Sequence, residues 1–477
     1  MDSVEASPLH LLFFPFLANS HMIPMLDIAR LAVEHGAKAS IVTTPGNVHL
    51  VDPLLRRFPS TSLHLIPFPT AAFDLPDGCE NLTVLPLPLA EKFFNAVFAL
   101  RDPLNDLLYS LRPDAIISDV INPWTAALAG EHHIPHVLFQ SNGLFAHCVV
   151  NDLALHRPYD SISDRSQPFS IPGFPHPVQL TRSQLPELFN HPTMLVWLRD
   201  AELSSHAVVV NTFYALEPYY AEHYYKHGPL GRHLFLVGPV ALFGGDSEEE
   251  EEEKKKKEEK KEPCLEWLDK KANGSVVYVG FGTMGRMKEE QVKELAFGLE
   301  SSGEAFVWVV ESRASEWIPE GYEKRVEGRG LVVRGWAPQK EILSHLAVGC
   351  FLSHCGWNSV MEAVTAGVPV ITWPIHSEQF VNEKMLVEVV KVGIPAWEGF
   401  KSVKDEEKVV VPAEAVVAAV KRLMSGGEEV ATMRKRVGEL AELARMAVAE
   451  NGTSNLDINR LISGLVASRH EKFTVKG

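Results

Sequence analysis

The sequence predicts two α/β domains, each built around a parallel β-sheet. The chain has 477 residues, of which 46% are hydrophobic, so it is too long for one ordinary core and apolar enough for two. Short apolar runs also alternate with longer segments of helical period, which is the pattern of strand–helix–strand units. We therefore expect two doubly wound domains.

The first half opens with one complete strand–helix–strand unit. Residues 9–16 (LHLLFFPF) are predicted to form a strand, residues 23–36 a helix that Gly36 ends, and residues 37–44 the next strand. Two further strands are predicted at residues 114–119, before a helix that opens near Pro123, and at residues 208–213.

The second half repeats this pattern. A helix is predicted at residues 289–303, where Gly303 closes it, and a terminal helix at residues 454–470 is expected to dock on a neighbouring element. The strands predicted in this half are residues 275–281, 305–310, 330–336, 348–354 and 369–374.

A charged run separates the two halves. Residues 247–262 contain no apolar side chain, so this segment cannot bury itself and is predicted to be a solvated linker or loose helix. Its mixed signs argue against binding to a polyanion. The predicted domains are residues 1–245, a linker at 246–262, a second domain at 263–455, and a terminal helix and tail at 456–477 that pack back on the first domain.

Composition narrows the class of partner. The net charge of −16 argues against a nucleic-acid or anionic-membrane surface, so the expected partners are small molecules. The five cysteines are few and scattered, which fits a reducing compartment. A signal peptide requires Lys or Arg before its apolar run, and the first apolar run of this chain is preceded by neither. We expect a cytoplasmic, monomeric protein without membrane insertion.

One glycine pattern resembles a dinucleotide fingerprint. Gly280, Gly282 and Gly285 follow a predicted strand, and Glu311 ends the next one, which is the arrangement of NAD-binding units. In that fingerprint the third glycine lies inside the helix, whereas here the helical pattern begins near Lys288. A nicotinamide-dependent oxidoreductase therefore stays as an alternative interpretation.

The second half also contains an anion-binding pattern. The strand at residues 348–354 ends at His354, Gly356 permits a sharp turn, and Asn358 and Ser359 lie where a helix opens. Unpaired N–H groups and the helix dipole make such a terminus a phosphate site. The three polar side chains add hydrogen-bond donors directed to the same oxygens.

Neighbouring residues supply groups for a nucleoside and a sugar. Glu362, one turn into the helix, is an acceptor suited to vicinal hydroxyls. Trp336 offers a flat face to a base, and Gln339 can bond to a base or sugar edge. Glu378 and Gln379 follow a strand and can bind further hydroxyls. All these groups lie at carboxyl ends of strands, where open α/β sheets bind ligands.

The first half holds a candidate catalytic pair. His21 follows the first strand, before a helix that Pro24 can open, and Asp119 ends the strand at residues 114–119. Both are predicted at the same carboxyl edge of one sheet. A histidine that takes a proton from a hydroxyl needs a carboxylate to orient its other nitrogen.

Residues 336–379, WAPQKEILSHLAVGCFLSHCGWNSVMEAVTAGVPVITWPIHSEQ, resemble the signature box of plant UDP-dependent family 1 glycosyltransferases, without a gap. The resemblance continues at residues 21–31, 75–82, 264–269 and 382–390. It implies the GT-B fold, in which two facing Rossmann-like domains enclose an interdomain cleft. The acceptor is then bound mainly by the first domain and the UDP-sugar by the second.

The resemblance also assigns residue roles. It implies that His21 and Asp119 are the catalytic pair and that Gln379, at the end of the box, accompanies glucose. Asn142 stands where a threonine commonly contacts the donor sugar, and Ser20 where the family normally has glycine. The UDP-sugar-binding residues implied are Thr283, Trp336, Ala337, Gln339, His354, Trp357, Asn358, Ser359, Glu362, Glu378 and Gln379.

The expected reaction is inverting transfer of a sugar, glucose first, from a UDP-sugar to a hydroxyl of a flavonoid or other phenolic. It needs no cofactor and no metal, and the chain has no Asp-x-Asp pair. Two apolar, Pro-rich segments, residues 68–94 and 156–189, are expected to wall the acceptor pocket. A non-catalytic nucleotide-sugar-binding protein is the second alternative.

Overall fold

The structure is a computed structural model that describes residues 7–243, 262–282, 285, 287–311 and 314–474. Within these ranges, no helix is long and apolar enough to cross a membrane. Nearly all of the predicted linker lies outside them. The chain forms two compact units: the first comprises Met1–His147, Pro192–Phe243 and Met446–Gly477, and the second comprises Cys148–His191 and Gly244–Arg445.

The first unit is built on a seven-stranded parallel sheet with the strand order β3-β2-β1-β4-β5-β8-β9. Both faces of this sheet are buried, which is typical of parallel sheets. The strands are β1 (His10–Phe14), β2 (Lys38–Thr43), β3 (Ser62–Leu65), β4 (Ala115–Asp119), β5 (His136–Gln140), β8 (Ala207–Val210) and β9 (Leu234–Leu236).

Alternation along β1 shows how the two faces are filled. Leu11 and Phe13 belong to one hydrophobic cluster, whereas Leu12 and Phe14 belong to another on the opposite face, because successive side chains of a strand point to opposite sides. The helices that begin in this unit are α1 (Asn19–Glu34), α2 (Val48–Arg57), α3 (Ala90–Phe98), α4 (Arg101–Leu111), α5 (Trp124–Glu131), α6 (Leu144–His156), α7 (Pro192–Ser204) and α8 (Pro218–His227).

Helix α1 begins four residues earlier than the sequence pattern predicts. The carbonyl of Ala18 accepts hydrogen bonds from the N–H groups of His21 (3.0 Å) and Met22 (2.9 Å). Pro24 therefore lies inside the helix, and His21 lies in its first turn. The predicted end is confirmed, since Gly36 follows the helix with φ +83°, a conformation that glycine adopts without cost.

The second unit has a six-stranded parallel sheet with the order β12-β11-β10-β13-β14-β15. The two-domain α/β prediction with parallel sheets is thus confirmed. The strands are β10 (Val276–Gly280), β11 (Ala305–Val310), β12 (Gly330–Arg334), β13 (Val348–Ser353), β14 (Val370–Thr372) and β15 (Gly393–Pro395).

Helices lie between and after these strands. The helix predicted at residues 289–303 is observed at Glu289–Ser302, and Gly303 with φ +78° terminates it, as predicted. The helices are α9 (Pro263–Leu268), α10 (Glu289–Ser302), α11 (Tyr322–Arg325), α12 (Gln339–Leu343), α13 (Trp357–Ala366), α14 (Gln379–Lys384), α15 (Ala413–Met424) and α16 (Glu428–Val448), with a π-helix at Met385–Val389.

A segment from the first half of the chain packs with the second unit. Residues 148–191, which we call the hairpin segment, carry an antiparallel pair, β6 (Pro168–Ser170) and β7 (Gln179–Thr181). The predicted first domain, residues 1–245, includes this segment. Its few short strands give no indication in the sequence of the unit with which it packs.

The last helix, α17 (Thr453–Thr474), is part of the first unit. Ile458, Leu461 and Leu465 lie in the same hydrophobic cluster as Leu11 and Phe13 of β1. The Asp457 carboxylate accepts a hydrogen bond of 2.9 Å from the backbone of β9. The apolar face of this terminal helix therefore completes the core of the first unit.

Candidate functional site

His21 and Asp119, the two residues predicted to form a catalytic pair, are in contact in the first unit. Strands β1 and β4 are adjacent, with Phe14 beside Ser118, so the residues that follow them meet at one sheet edge. His21 Nδ1 lies 2.9 Å from Asp119 Oδ2, and the two side chains are 20% and 0% exposed. The other oxygen of Asp119 accepts a hydrogen bond of 3.0 Å from the backbone of Ile121.

This geometry determines which nitrogen carries the proton in neutral His21. A carboxylate accepts hydrogen bonds and cannot donate them, so Nδ1 carries the proton toward Asp119 and the lone pair is on Nε2. The Phe16 ring packs edge-on against the imidazole, with centroids 5.2 Å apart. The buried carboxylate therefore orients the imidazole and sets its tautomer.

In the second unit, the predicted base-stacking residue is accessible. Trp336 follows β12 and is 75% exposed, although an indole normally buries most of its surface. Gly335 precedes it with φ +86°, and this turn directs the chain away from the sheet. Ala337, next in the chain, is buried. An exposed indole at a strand end is available to stack on a planar ligand.

The predicted nucleoside-binding residues are joined in one hydrogen-bonded cluster. The carboxamide of Gln339 donates to Glu362 Oε2 at 2.7 Å and to Ser359 Oγ at 2.9 Å. Its oxygen accepts from the Tyr278 hydroxyl at 3.1 Å. Ser359, expected near the diphosphate, thus bonds to Gln339. The cluster fixes the Glu362 carboxylate, which lies in the second turn of helix α13.

Burial determines the protonation of this cluster. It raises the pKa of Glu362, and the hydrogen bond from Gln339 offsets part of that rise. Burial, followed by the nearby Glu362 charge, raises the pKa of Tyr278 well above its usual value, so the phenol keeps its proton and donates to Gln339. Tyr278 could not be identified from the sequence, because a tyrosine within a strand is ordinarily a core residue.

His354 is held between two glycines. A Cβ at Gly282 would lie 2.7 Å from the imidazole, and one at Gly356 would lie 2.4 Å from its Nε2. Burial, with a smaller contribution from His376, lowers the pKa of His354 to about 3. Its Nδ1 is buried and has no hydrogen-bond partner among the described residues. A neutral imidazole with an unused nitrogen is suited to an incoming polar ligand.

Helix α13 begins beside this histidine. Its N-cap is Gly356, and no side chain caps it, so the positive end of the helix dipole is directed to whatever binds there. Asn358 lies in the first turn, as predicted. Trp357, predicted to line the sugar, is only 3% exposed and packs into the unit.

The loop after β14 is stabilised by its own glutamine. Gln379 Oε1 accepts hydrogen bonds from the N–H groups of Ile375 (2.9 Å) and His376 (3.1 Å). Gln379 is 3% exposed, so part of its carboxamide is used to hold the loop. Ser377, between these residues, has φ +56°. Glu378 follows and is the N-cap of helix α14.

Asn142 lies in the first unit, in the turn between β5 and α6. Its N–H donates to Gln140 Oε1 at 3.4 Å. The start of α6 is fixed by Glu217, whose carboxylate accepts from the N–H groups of Leu144 (3.1 Å) and Phe145 (2.6 Å). Burial raises the pKa of Glu217. This capping residue lies 72 residues from Phe145, so no local pattern identifies it.

The structure therefore assembles the predicted residues in two places. His21 and Asp119 meet in the first unit, and Gln339, Ser359 and Glu362 meet in the second. Thr283 lies outside the described residues. Among the residues that are described, no three His, Cys, Asp or Glu side chains form a cluster that could hold a metal ion.

The dinucleotide interpretation is not supported. Strand β10 ends at Gly280, and helix α10 begins only at Glu289, so Gly285 precedes the helix rather than lying inside it. Gly282 has φ +65°, and a Cβ at this position would lie 2.7 Å from the His354 ring. Gly282 therefore makes room for a histidine, and none of these glycines brings a helix against a strand.

Comparison with known proteins agrees with the geometry. Residues 252–399 match the family UDP-glucoronosyl and UDP-glucosyl transferase. The chain is 41% identical over 479 residues to UDP-glucose flavonoid 3-O-glucosyltransferase 7 of Fragaria ananassa, covering 98% of each chain. It is 40% identical over 473 residues to scopoletin glucosyltransferase of Nicotiana tabacum, covering 96% of this chain and 98% of that relative.

Solved structures give the same result. Glycyrrhiza uralensis UGT73P12, complexed with glycyrrhetinic acid 3-O-monoglucuronide, is 36% identical with a TM-score of 0.89 and 98% of both chains covered. Medicago truncatula UGT71G1, complexed with UDP-glucose, is 26% identical with a TM-score of 0.78, covering 96% of this chain and 98% of that one. The chain therefore belongs to the plant UDP-dependent family 1 glycosyltransferases and has their GT-B fold.

Proposed function

We propose that this enzyme transfers glucose from UDP-glucose to a hydroxyl of a phenolic plant metabolite, with flavonoids and coumarins as the first acceptors to consider. The names of its relatives support this acceptor class, since they include a flavonoid 3-O-glucosyltransferase, a scopoletin glucosyltransferase and an anthocyanin 3′-O-glucosyltransferase. The observation that carries the proposal is the 2.9 Å contact between His21 and the buried Asp119.

In the proposed reaction His21 is the general base. Nε2 takes the proton of the acceptor hydroxyl, and the acceptor oxygen attacks the anomeric carbon from the face opposite UDP. The bond between that carbon and the diphosphate oxygen breaks, so the α-linked donor gives a β-glucoside and UDP. Asp119 stabilises the resulting imidazolium, which then returns its proton to solvent.

The donor is proposed to lie at the opening of helix α13. Trp336 stacks on uracil, Glu362 accepts hydrogen bonds from the ribose hydroxyls, and His354 with the helix terminus binds the diphosphate. Negative charge grows on the diphosphate as the bond to glucose breaks, and donors that are already in place stabilise it most effectively. Glu378 and Gln379 are proposed to contact the sugar.

We propose that transfer proceeds without a bound metal or cofactor, because the helix terminus and its donors stabilise the charge on the leaving group. Transfer activity is then expected to survive chelation by EDTA.

We also propose that the protein is a cytoplasmic monomer. Sedimentation is then expected to show a single species with the mass of one chain.

The test is an acceptor and donor screen. The protein is incubated with UDP-glucose and a flavonol or a hydroxycoumarin, and the product is analysed by mass spectrometry and by the proton NMR coupling of the anomeric hydrogen. A β-glucoside is expected, with UDP-galactose, UDP-rhamnose and UDP-xylose giving slower transfer. An α-linked product, or binding of UDP-glucose with no transfer to any phenol, would overturn the proposal.

A further inference from the structure

The hairpin segment belongs to the second unit, and its polar contacts with the rest of that unit include three between described residues. The N–H of Val403 donates to the carbonyl of Ser183 at 2.9 Å. Arg165 Nε lies 3.2 Å from the Glu407 carboxylate. The third contact involves Glu187, whose Oε2 accepts a hydrogen bond of 3.0 Å from the N–H of Ser377. Of these three contacts, the third reaches the loop that precedes helix α14.

Ser377 has an unusual backbone conformation. Its φ of +56° lies in the left-handed region, which a residue with a Cβ occupies only at a cost of about 1–2 kcal/mol. Such a conformation persists when the surroundings impose it. A hydrogen bond from the Ser377 N–H to a carboxylate is charge-assisted and therefore among the stronger ones.

Two side chains hold this loop from different directions. Gln379 belongs to the loop and accepts from Ile375 and His376. Glu187 comes from a position 190 residues earlier and is partly buried in the 3₁₀-helix Glu187–Asn190. Glu187 therefore accepts from the N–H of Ser377, the residue before Glu378, whereas the Gln379 oxygen accepts from the two preceding N–H groups.

We propose that Glu187 is a positioning residue that sets the orientation of the sugar-contacting loop and thereby the affinity and selectivity for the donor sugar. This inference rests on the proposed function, in which Glu378 and Gln379 contact the glucose.

The first experiment compares variants of Glu187 in a steady-state assay with UDP-glucose. Glu187→Ala removes the acceptor of the Ser377 N–H and is expected to raise the KM for UDP-glucose about tenfold. Glu187→Asp keeps the charge but withdraws the oxygen by one methylene, so it should change KM in the same direction. Glu187→Gln keeps an oxygen in place and should stay within about threefold of wild type.

Calorimetry separates the sugar from the nucleotide. In Glu187→Ala the affinity for UDP should stay within about twofold, because Trp336 and Glu362 are untouched, whereas the affinity for UDP-glucose falls. The rate ratio of UDP-glucose to UDP-galactose should fall as well. A variant that merely loosened the fold would lose affinity for UDP as well as for UDP-glucose. An unchanged affinity for UDP also shows that the variant is folded.

A second variant tests the link to Ser377. Glycine adopts the left-handed conformation without a steric cost, so Ser377→Gly should restore part of the UDP-glucose affinity in the Glu187→Ala background. The two substitutions are therefore expected to be non-additive in a double-mutant cycle. Strict additivity would contradict the proposal.

Arg165→Ala is the matched control, because it releases the hairpin segment from Glu407 without touching the loop. It should leave the KM for UDP-glucose within about twofold. If Arg165→Ala raises KM as much as Glu187→Ala, or if Glu187→Ala leaves KM and sugar selectivity unchanged, the positioning role is wrong. If wild type binds UDP-glucose but transfers none, the proposed function fails, while calorimetry still tests Glu187.

Discussion

The carboxylate of Glu362 accepts a hydrogen bond of 2.7 Å from the carboxamide of Gln339. The two residues lie 23 positions apart, on helices α12 and α13. Their contact fixes the orientation of the carboxylate, so the proposed hydrogen bonds to the ribose would require little further ordering of this side chain.

Glu362→Gln should therefore weaken UDP binding in a way that depends on ribose. A neutral amide accepts hydrogen bonds less strongly than a carboxylate, so the Kd for UDP should rise about tenfold. For 2′-deoxy-UDP the rise should be smaller, because one hydroxyl is already missing. Calorimetry with both nucleotides measures this difference, and Glu341→Gln, an exposed residue on the preceding helix, is the control. An equal loss for the two nucleotides would show that Glu362 does not bind the ribose.

Trp336→Ala should weaken UDP binding without destabilising the protein. Stacking of a base on an aromatic ring is worth about 1–3 kcal/mol, so the Kd should rise about tenfold or more. The thermal midpoint should not change, because the indole is 75% exposed and contributes little to the core. Leu346→Ala is a matched control, since Leu346 has the same exposure. A retained UDP affinity in Trp336→Ala would exclude stacking.

His21→Ala should abolish most transfer and leave UDP binding intact. General-base catalysis contributes about 10²–10⁴-fold, and the loss should appear in kcat with a phenol acceptor. Asp119→Asn, which keeps the shape but removes the charge, should also lower kcat. The exposed His49 provides the control, as His49→Ala should transfer normally.

The ionisation of the acceptor must be separated from this effect. A phenol that is already ionised needs no base, so the His21→Ala assay is repeated at lower pH with a weakly acidic phenol. Transfer at near wild-type rate under those conditions would show that His21 is not the base.

Gly282→Ala should lose UDP affinity because its new methyl group would displace His354. The added Cβ would lie 2.7 Å from the imidazole, closer than such contacts occur. Gly303 also has positive φ, +78°, but nothing lies within 4 Å of an added Cβ. Both variants should lose about 1–2 kcal/mol of stability through backbone strain. Only Gly282→Ala should bind UDP more weakly, and an equal affinity in the two variants would contradict the role of His354.

The stability of the protein is expected to decrease at low pH because His136 is buried. Burial lowers the pKa of His136 to about 3, whereas an unfolded histidine titrates near 6.5. The unfolded state therefore binds a proton first, so the free energy of unfolding decreases as pH falls below about 6.5, by about 1.4 kcal/mol per pH unit for each such group. His354, with its pKa also lowered to about 3, adds to this slope.

His136→Gln should reduce that slope. His136 accepts or donates hydrogen bonds with Ser118 and Ser205, each at 2.7 Å, so the variant is expected to be less stable at neutral pH. Its thermal midpoint should nevertheless fall less than that of wild type between pH 6.5 and pH 4.5. An unchanged slope would mean that His136 is accessible to protons in the folded protein.

The sequence alone predicted several of the elements and the family. Strand β1, helix α10 with its end at Gly303, and the 44-residue box at 336–379 follow from periodicity, glycine turns and a continuous motif, which are all local properties. The sequence also predicted His21 after one strand and Asp119 at the end of another. Because parallel strands share one carboxyl edge, it predicted both residues at the same edge of the sheet.

Only the tertiary structure decided which distant side chains meet. Tyr278 joins Gln339, Glu217 caps the start of α6, and Glu187 holds Ser377, although each pair is separated by 61 residues or more. The start of α1 before Pro24 was likewise missed. Hydrogen bonds of this kind depend on strand order and on the packing of loops. Neither of these produces a periodic pattern in the sequence.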